Sequence, residues 1–306
     1  MTAPTADVAV IGGSGFYELL ADAVDVNLET PYGAPSSPVG IGRIGEVQVA
    51  FIARHGRDHS LPPHRINYRA NLWALHLLGV RRVVAPCAVG SLRAEVEPGD
   101  FMVLDQLVDR TWGRRDTYVD GPVVDHIGFA DPYCPELSAV LADAGNGTDV
   151  TIHPRGTIVV INGPRFSTRA ESAWHRSAGW DVVNMTQYPE AALARELGLC
   201  YSGLALITDY DTGVETNDPD RPGFGEAVSM EGVLAVLADN VERTRRLLLD
   251  AIPAIPLEAG CGCAIGGAAG LKGPSLLRPP SDDEAISPVQ LVRPTGQDTP
   301  APPEPP

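Results

Sequence analysis

Two aspartates, Asp209 and Asp211, stand two residues apart where an apolar run over residues 200–207 stops. Met185 and Thr186 stand where an earlier run, residues 180–185, stops, and Arg54 and His55 follow a third run over residues 47–53. Carboxyls, a hydroxyl, a guanidinium and an imidazole at three such ends suit a phosphate dianion together with a basic heterocycle, Arg54 offering paired donors and His55 a further one. A plainer reading stays open at this point: Thr186 as a helix cap and the aspartates as a solvated turn.

The elements that must position these residues can be read from the pattern. Residues 180–185 form a β-branched run, Pro189 and Glu190 suit a first helical turn, Ala191 to Leu197 propagate it and Gly198 ends it. With the apolar run 200–207 as a second strand, the stretch reads as a βαβ unit, and ligands collect at strand ends and helix N-termini in such units. Residues 7–11 read as a strand opening into Gly12, Gly13, Ser14 and Gly15, where the backbone can approach an anion and Ser14 can donate. The loop is not a Walker A motif, and Glu18 occupies the third glycine's place of a dinucleotide fingerprint. A plain tight turn fits it equally well.

Residues 80–86 read as a strand followed by a small-residue loop, Cys87 to Ser91, with room for a ligand. After a strand over residues 156–162, Phe166 can stack on a planar ring while Ser167 or Thr168 starts a helix. Periodic apolar residues predict helices over residues 66–78 and 226–249, the second ending before Pro253. The polar excursion 109–131, which carries Trp112, Tyr118 and His126, reads as a lid or a subunit contact. His59 and His64 lack the carboxylates or cysteines that would complete a metal site, and Pro62-Pro63 breaks any helical face between them.

A chain of 306 residues, 44% hydrophobic and 20% charged, has the makeup of a soluble globular protein. Its net charge of −16 repels nucleic acid and anionic membrane, so a phosphate site must be local and pre-formed. No apolar stretch is long enough to span a bilayer and no signal core follows the first residues, which predicts a cytoplasmic protein. The five cysteines read as too few and too scattered for a disulfide framework or a zinc site, and Cys261 and Cys263 as a C-x-C pair that is either redox-active or disposable. Ten of the 28 prolines fall between Pro274 and Pro306, which predicts a Gly/Pro-rich disordered tail over 258–306 after a domain over 1–257.

Taken together, Ile11-Gly-Gly-Ser-Gly, Ala53-Arg-His-Gly-Arg, Asn67-Tyr-Arg-Ala-Asn-Leu-Trp-Ala-Leu, Gly163-Pro-Arg-Phe-Ser-Thr-Arg-Ala-Glu-Ser, Asn184-Met-Thr, Pro189-Glu and Thr208-Asp-Tyr-Asp resemble, in order, the trimeric purine nucleoside phosphorylase family, in its 5'-methylthioadenosine branch. The resemblance covers about residues 7 to 257. It implies a single α/β domain with a central mixed, partly barrel-like sheet flanked by helices, a homotrimer, and phosphorolysis of 5'-methylthioadenosine without metal or organic cofactor.

Carried over by position, the resemblance implies phosphate ligands Ser14, Arg54, His55, the backbone at Ala88, and Thr186. Met185 would meet the ribose and His59 its 5' side, His126 would reach a neighbouring subunit's 5' pocket, and Met230, Val233 and Leu234 would enclose the methylthio group. Phe166 and Ser167 would contact the base, with Asp209 as general acid at N7 and Asp211 beside it. An ordinary aspartate is ionised at neutral pH, so this role requires burial or Asp211 to raise its proton affinity.

Asp209 also favours a 6-aminopurine over the 6-oxopurines, whose phosphorylases typically carry asparagine there. Asn162 replaces a usual glutamate, and a long loop from Thr212 to Phe224 leaves the 5' substituent open. Three alternatives remain: a 6-oxopurine or 5'-methylthioinosine phosphorylase, a phosphorylase of another 5'-substituted 5'-deoxyadenosine, and a purine-binding scaffold without turnover.

Overall fold

The computed structural model describes residues 5–13, 20, 23–120, 124–212 and 228–264, without the side chain of Met230. Ser14, most of the 212–224 loop and residues 265–306 lie outside this set. In chain order the elements are β1 (Val8–Gly12), β2 (Val24–Val26), β3 (Val39–Ile44), β4 (Val47–Ala53), α1 (Tyr68–Leu77), β5 (Arg82–Ser91), β6 (Phe101–Val103), β7 (Gln106–Arg110), α2 (Pro135–Ala144), β8 (Ile152–His153), β9 (Thr157–Ile161), α3 (Arg169–Ser177), β10 (Val182–Asn184), α4 (Gln187–Glu196), β11 (Cys200–Tyr210) and α5 (Met230–Ala254). They form one α/β domain around a mixed sheet flanked by helices, as expected.

β5 organises the sheet. Its first residues pair with β1 on one edge, Gly90 and Ser91 pair with β10 on that same edge, and β11 follows its other edge along the whole strand. Successive side chains of a strand point to opposite faces. Val83, Ala85, Cys87 and Val89 therefore enter the core under α1 and α4 with Leu72, Trp73 and Leu193, while Val84 enters the core under α2 and α5 with Leu137, Leu248 and Ile252. On that second face the series continues as Pro86, Ala88 and Gly90. These small residues leave room where α5 begins.

The expected βαβ unit is corrected here. β10 and β11 flank β5, with β10 antiparallel and β11 parallel to it, so they are not parallel to each other. Their carboxyl ends meet for another reason: β10 runs back along β5, pairing Val182 with Ser91 and Val183 with Gly90, while β11 ends beside the same Gly90. Residues 87–91, expected as a loop, are the last part of β5, because β11 supplies them with partners up to Ser91.

Two further expectations change. α5 continues through Pro253 to Ala254, where buried Ala251 and Ile252 anchor its last turn and the Ile255 amide closes it on the Ile252 carbonyl at 3.2 Å. Residues 258–264 are not a free tail: Arg82 donates to the Glu258 carbonyl at 2.9 Å and Cys263 is 3% exposed. The cysteines are not scattered either, since Cys134, Cys200, Cys261 and Cys263 come together.

Candidate active site

A cleft of about 520 Å3 opens over Ala88 and Gly90, between the end of β11, the β10–α4 junction and the first turns of α5. Twelve of the residues singled out in the sequence line it: Arg54, His55, His59, Ala88, Phe166, Ser167, Met185, Thr186, Asp209, Asp211, Val233 and Leu234. His126 is exposed and does not line the cleft of its own chain. Ser14 and the Met230 side chain lie outside the described residues.

The acidic end is shaped by a bulge. Register between β11 and β5 passes from Ile207 opposite Val89 to Asp209 opposite Gly90, leaving Thr208 as the extra residue. Asp209 and Asp211 then share a side over Gly90, where a β-carbon would stand 3.0 Å from Asp209 Oδ1 and 3.3 Å from Asp211 Cβ. Only glycine leaves both carboxyls undisturbed.

Burial lifts the Asp209 carboxyl to about 6, against the pull of the Thr208 hydroxyl and with a push from the Asp211 charge. Thr208 Oγ1 lies 2.7 Å from Asp209 Oδ2 and 3.1 Å from the Val89 carbonyl oxygen. The hydroxyl has one proton and the carbonyl can only accept. When Thr208 donates to Val89, its oxygen is left to accept from a protonated Asp209.

Burial also raises Asp211, against the Ser172 and Ser167 hydroxyls nearby. Asp211 Oδ2 and Ser167 Oγ nevertheless complete no well-formed hydrogen bond among the described residues. Both are buried polar atoms beside the cleft, a costly arrangement without a partner and a serviceable one toward a polar ligand. Thr168, not Ser167, caps α3 through a reciprocal pair with Glu171, which leaves Ser167 to face the cleft.

At the opposite end the structure corrects two readings. Arg54, 1% exposed, gives Nε and Nη2 to the Glu190 carboxylate at 2.8 Å each, Nη2 to the Ile11 carbonyl at 2.9 Å and Nη1 to the Pro86 carbonyl at 3.1 Å. Burial opposes its charge, but Glu190 more than compensates and raises its pKa. Of the five guanidinium protons one, on Nη1, remains, so Arg54 does not offer paired donors to an anion. His55 Nδ1 lies 2.8 Å from the Leu61 carbonyl and must donate to it. Burial holds His55 down to about 4, with further lowering from Arg54 and His59. The neutral ring keeps Nε2 as an acceptor.

Thr186 lies at the N-terminus of α4 but its side chain does not cap the helix. Asn184 braces the turn ahead of it, its Oδ1 accepting from the Thr186 and Gln187 amides at 3.4 and 3.5 Å, while its Nδ2 donates to Thr186 Oγ1 at 3.4 Å. The Thr186 proton is therefore free for a ligand at a helix N-terminus.

Sequence reasoning missed three positioning residues. Glu190 is buried and also accepts from the Tyr201 hydroxyl at 2.7 Å. Its only signal was the Pro189-Glu pair. Arg114, inside the aperiodic excursion, donates to the carbonyls of Asn162 and Met185 at 2.8 Å each and to that of Tyr188. Gly163 has φ of 64°, and a β-carbon there would lie 2.5 Å from Met185 Sδ. Asn162 itself faces away from the cleft, its Oδ1 accepting from the Trp112 amide at 3.4 Å.

The remaining wall is apolar. Val233, Leu234 and Leu237 line the cleft from α5, Leu234 staying 51% exposed, and Asn240 fastens the helix by donating to the Ile207 carbonyl at 2.8 Å. Phe166 presents a half-buried ring near Ser167. Burial pushes the Cys87 thiol up to about 11, which removes it as a nucleophile at neutral pH. Among the described residues the one group spaced to hold a metal ion is the cysteine cluster, which does not line the cleft.

Residues 7–253 match the phosphorylase superfamily. The chain is 51% identical over 282 residues to a purine nucleoside phosphorylase of Streptomyces coelicolor, covering 90% of this chain and 98% of that protein. It is 52% identical over 255 residues to an S-methyl-5'-thioadenosine phosphorylase of Mycobacterium tuberculosis, covering 83% and 91%. A crystal structure of a methylthioadenosine phosphorylase sourced from an antarctic soil metagenomic library superposes with a TM-score of 0.77 at 39% identity, covering 86% of this chain and 91% of that one.

Proposed function

The chain belongs to the phosphorylase superfamily, and on that premise we propose that its cleft carries out phosphorolysis of 5'-methylthioadenosine to adenine and 5-methylthioribose 1-phosphate. The observation that carries this reading is Asp209, a carboxyl lifted to about 6 beside Asp211, at the opposite end of one cleft from Arg54, His55 and Thr186.

Phosphate would enter with Thr186 donating through its hydroxyl, Arg54 through its remaining Nη1 proton and the backbone at Ala88 lying alongside. Ser14 is assigned to the same site by resemblance. His55 Nε2 would accept a hydrogen bond from the protonated phosphate oxygen. As the bond from C1' to N9 breaks, positive charge grows on the sugar over the phosphate and negative charge on the purine. Asp209 would protonate N7 while a phosphate oxygen bonds to C1', so adenine leaves neutral and the phosphate's own proton restores the acid through solvent. Phe166 would stack on the base, and Ser167 and Asp211 would take its remaining polar edge. Met185 would lie against the ribose with His59 near its 5' side. Met230, Val233 and Leu234 would meet the methylthio group.

In this reading the enzyme is a homotrimer that needs no organic cofactor, acts in the cytoplasm and borrows His126 from a neighbouring subunit. Among the described residues no helix is long and apolar enough to cross a membrane. Light scattering tests the assembly: a fully active monomer refutes the shared role of His126. A catalytic domain over residues 1–257, followed by a Gly/Pro-rich tail over 258–306 whose first residues pack against it, completes the proposal.

The decisive experiment is base release measured by liquid chromatography, with and without phosphate, from 5'-methylthioadenosine, adenosine, 5'-methylthioinosine and a 5'-halogenated 5'-deoxyadenosine. The expected result is phosphate-dependent adenine release, fastest with the methylthio substrate. The Streptomyces coelicolor relative, a purine nucleoside phosphorylase by name, supports a second reading, in which purine nucleosides without the methylthio group turn over faster. Release without phosphate, or none at all, overturns both.

A further inference from the structure

Four cysteines from three parts of the chain converge where no catalytic role is assigned. Cys134 lies at the N-terminus of α2, Cys200 opens β11, and Cys261 and Cys263 follow α5 with Gly262 between them. Their sulfurs all lie within 4.8 Å of one another. Cys261 Sγ is 3.3 Å from Cys200 Sγ and 3.6 Å from Cys134 Sγ.

Buried cysteines often serve as small apolar residues, and two separate pairs would suggest disulfides. Neither describes this group well. Cys261 approaches two other sulfurs almost equally, so the four form a compact cluster instead of two couples. Four thiolates around a zinc ion at about 2.3 Å stand about 3.8 Å apart at the corners of a tetrahedron. The observed separations bracket that value, and four sulfurs close the coordination sphere.

The surroundings match the charge such a centre would carry. Arg82, fully buried, points Nη1 at Cys200 Sγ from 3.2 Å and at Cys261 Sγ from 3.9 Å. Its Nη1 also meets Glu136 at 3.0 Å, and its Nη2 holds the Glu258 carbonyl. A divalent ion with four thiolates leaves two negative charges, and N–H donors to sulfur orient and stabilise such ligands. Arg82 is a buried cation placed to do this.

We propose that Cys134, Cys200, Cys261 and Cys263 form a structural tetrathiolate site for a soft divalent cation, zinc foremost, which fastens residues 258–264 to the base of β11 and α2. The site is remote from the chemistry: Cys200 and Asp209 are opposite ends of one strand, about 30 Å apart at 3.3 Å per residue. Its work is to hold together the ends of three elements, as structural zinc does in small domains.

The test uses the full chain, purified without chelator after growth with added zinc. Elemental analysis is expected to find about one zinc per chain, falling at least tenfold in Cys261→Ser/Cys263→Ser. Cobalt loaded into the unaltered protein should show thiolate charge-transfer bands and the visible bands of a tetrahedral site, a readout that needs no variant to fold. The proposal is overturned by a metal-free protein that also fails to take up cobalt. Titration under denaturing conditions then tells why: all five thiols free means apolar packing, and thiols that appear only after reduction mean disulfides.

Discussion

Gly90 lies directly across from Asp209, close enough that a β-carbon on the glycine would stand 3.0 Å from the Asp209 carboxyl oxygen. A glycine next to the end of a strand paired on both edges thus sets the position of the proposed acid. Gly90→Ala should lower kcat/KM for 5'-methylthioadenosine by about a hundredfold, the scale expected from a displacement near 1 Å. The thermal midpoint should shift little, because the backbone there is ordinary extended strand. Steady-state kinetics beside a thermal melt separates the two, and unchanged kinetics would remove Gly90 from the site.

The protonated form of Asp209 is the one that can serve N7. Activity therefore belongs below its pKa, and kcat/KM at saturating phosphate should fall as pH rises through about 6. Substrate over the carboxyl buries it further and should move the limb in kcat upward. Asp209→Asn should abolish the limb, reduce adenine release by about 10² to 10⁴-fold and shift preference toward 6-oxopurines.

The same substitution should raise stability at high pH. A carboxyl whose folded pKa exceeds its unfolded value of about 3.9 stabilises the fold fully only below that value, and this contribution is lost as pH rises through the folded pKa. At pH 8 the wild-type protein bears that loss and Asp209→Asn does not. The variant should melt higher than wild type at pH 8 and show no such advantage at pH 4. A lower melting point at pH 8 would mean that the carboxylate is stabilised by partners beyond those described.

Glu190→Gln leaves the buried Arg54 without its counter-charge. Breaking a buried pair by removing one partner costs about 3–5 kcal/mol, so a large drop in the urea midpoint is expected. The phosphate KM should rise as well, because the guanidinium loses the fork that aims its remaining proton. A variant with normal stability and an unchanged phosphate KM would show that Arg54 is held by its carbonyl partners alone.

Asn184 and Thr186 should divide bracing from binding. Asn184→Ala removes the hydrogen bonds that hold the turn ahead of α4 and should cost about 1 kcal/mol, whereas Thr186→Val keeps the helix and loses the hydroxyl. The second variant should raise the phosphate KM with little change in unfolding free energy. Equal destabilisation by both would restore Thr186 to the role of cap.

Much of the site was legible because its residues follow β4 and β10 or close β11, whose apolar runs are bounded sharply. Arg54, Thr186 and Asp209 could be placed from those boundaries. Strand direction could not. The residues around α4 fit a parallel unit by local pattern, and it is pairing with the distant Gly90 and Ser91 that turns β10 around. Nor does local pattern show that Asn184 rather than Thr186 accepts from the amides ahead of α4, since both types suit that task and two residues separate them. Arg114 escaped because its partners are backbone carbonyls far along the chain, which leave no mark in composition. The cysteines looked dispersed for a related reason: 127 residues separate Cys134 from Cys261, and only the folded termini of three elements bring them within reach.

The cleft draws on two kinds of wall, and they are free to diverge at different rates. Its floor and acidic end are cut into paired strands, where a changed side chain disturbs partners on both edges. The apolar side belongs to one helical turn carrying Val233 and Leu234, tied to the sheet farther along at Asn240. Exchange of bulk on that turn can retune the group accepted beyond the sugar while the bond-breaking machinery is inherited intact. Lineages sharing this scaffold can therefore change diet without having to reinvent their chemistry.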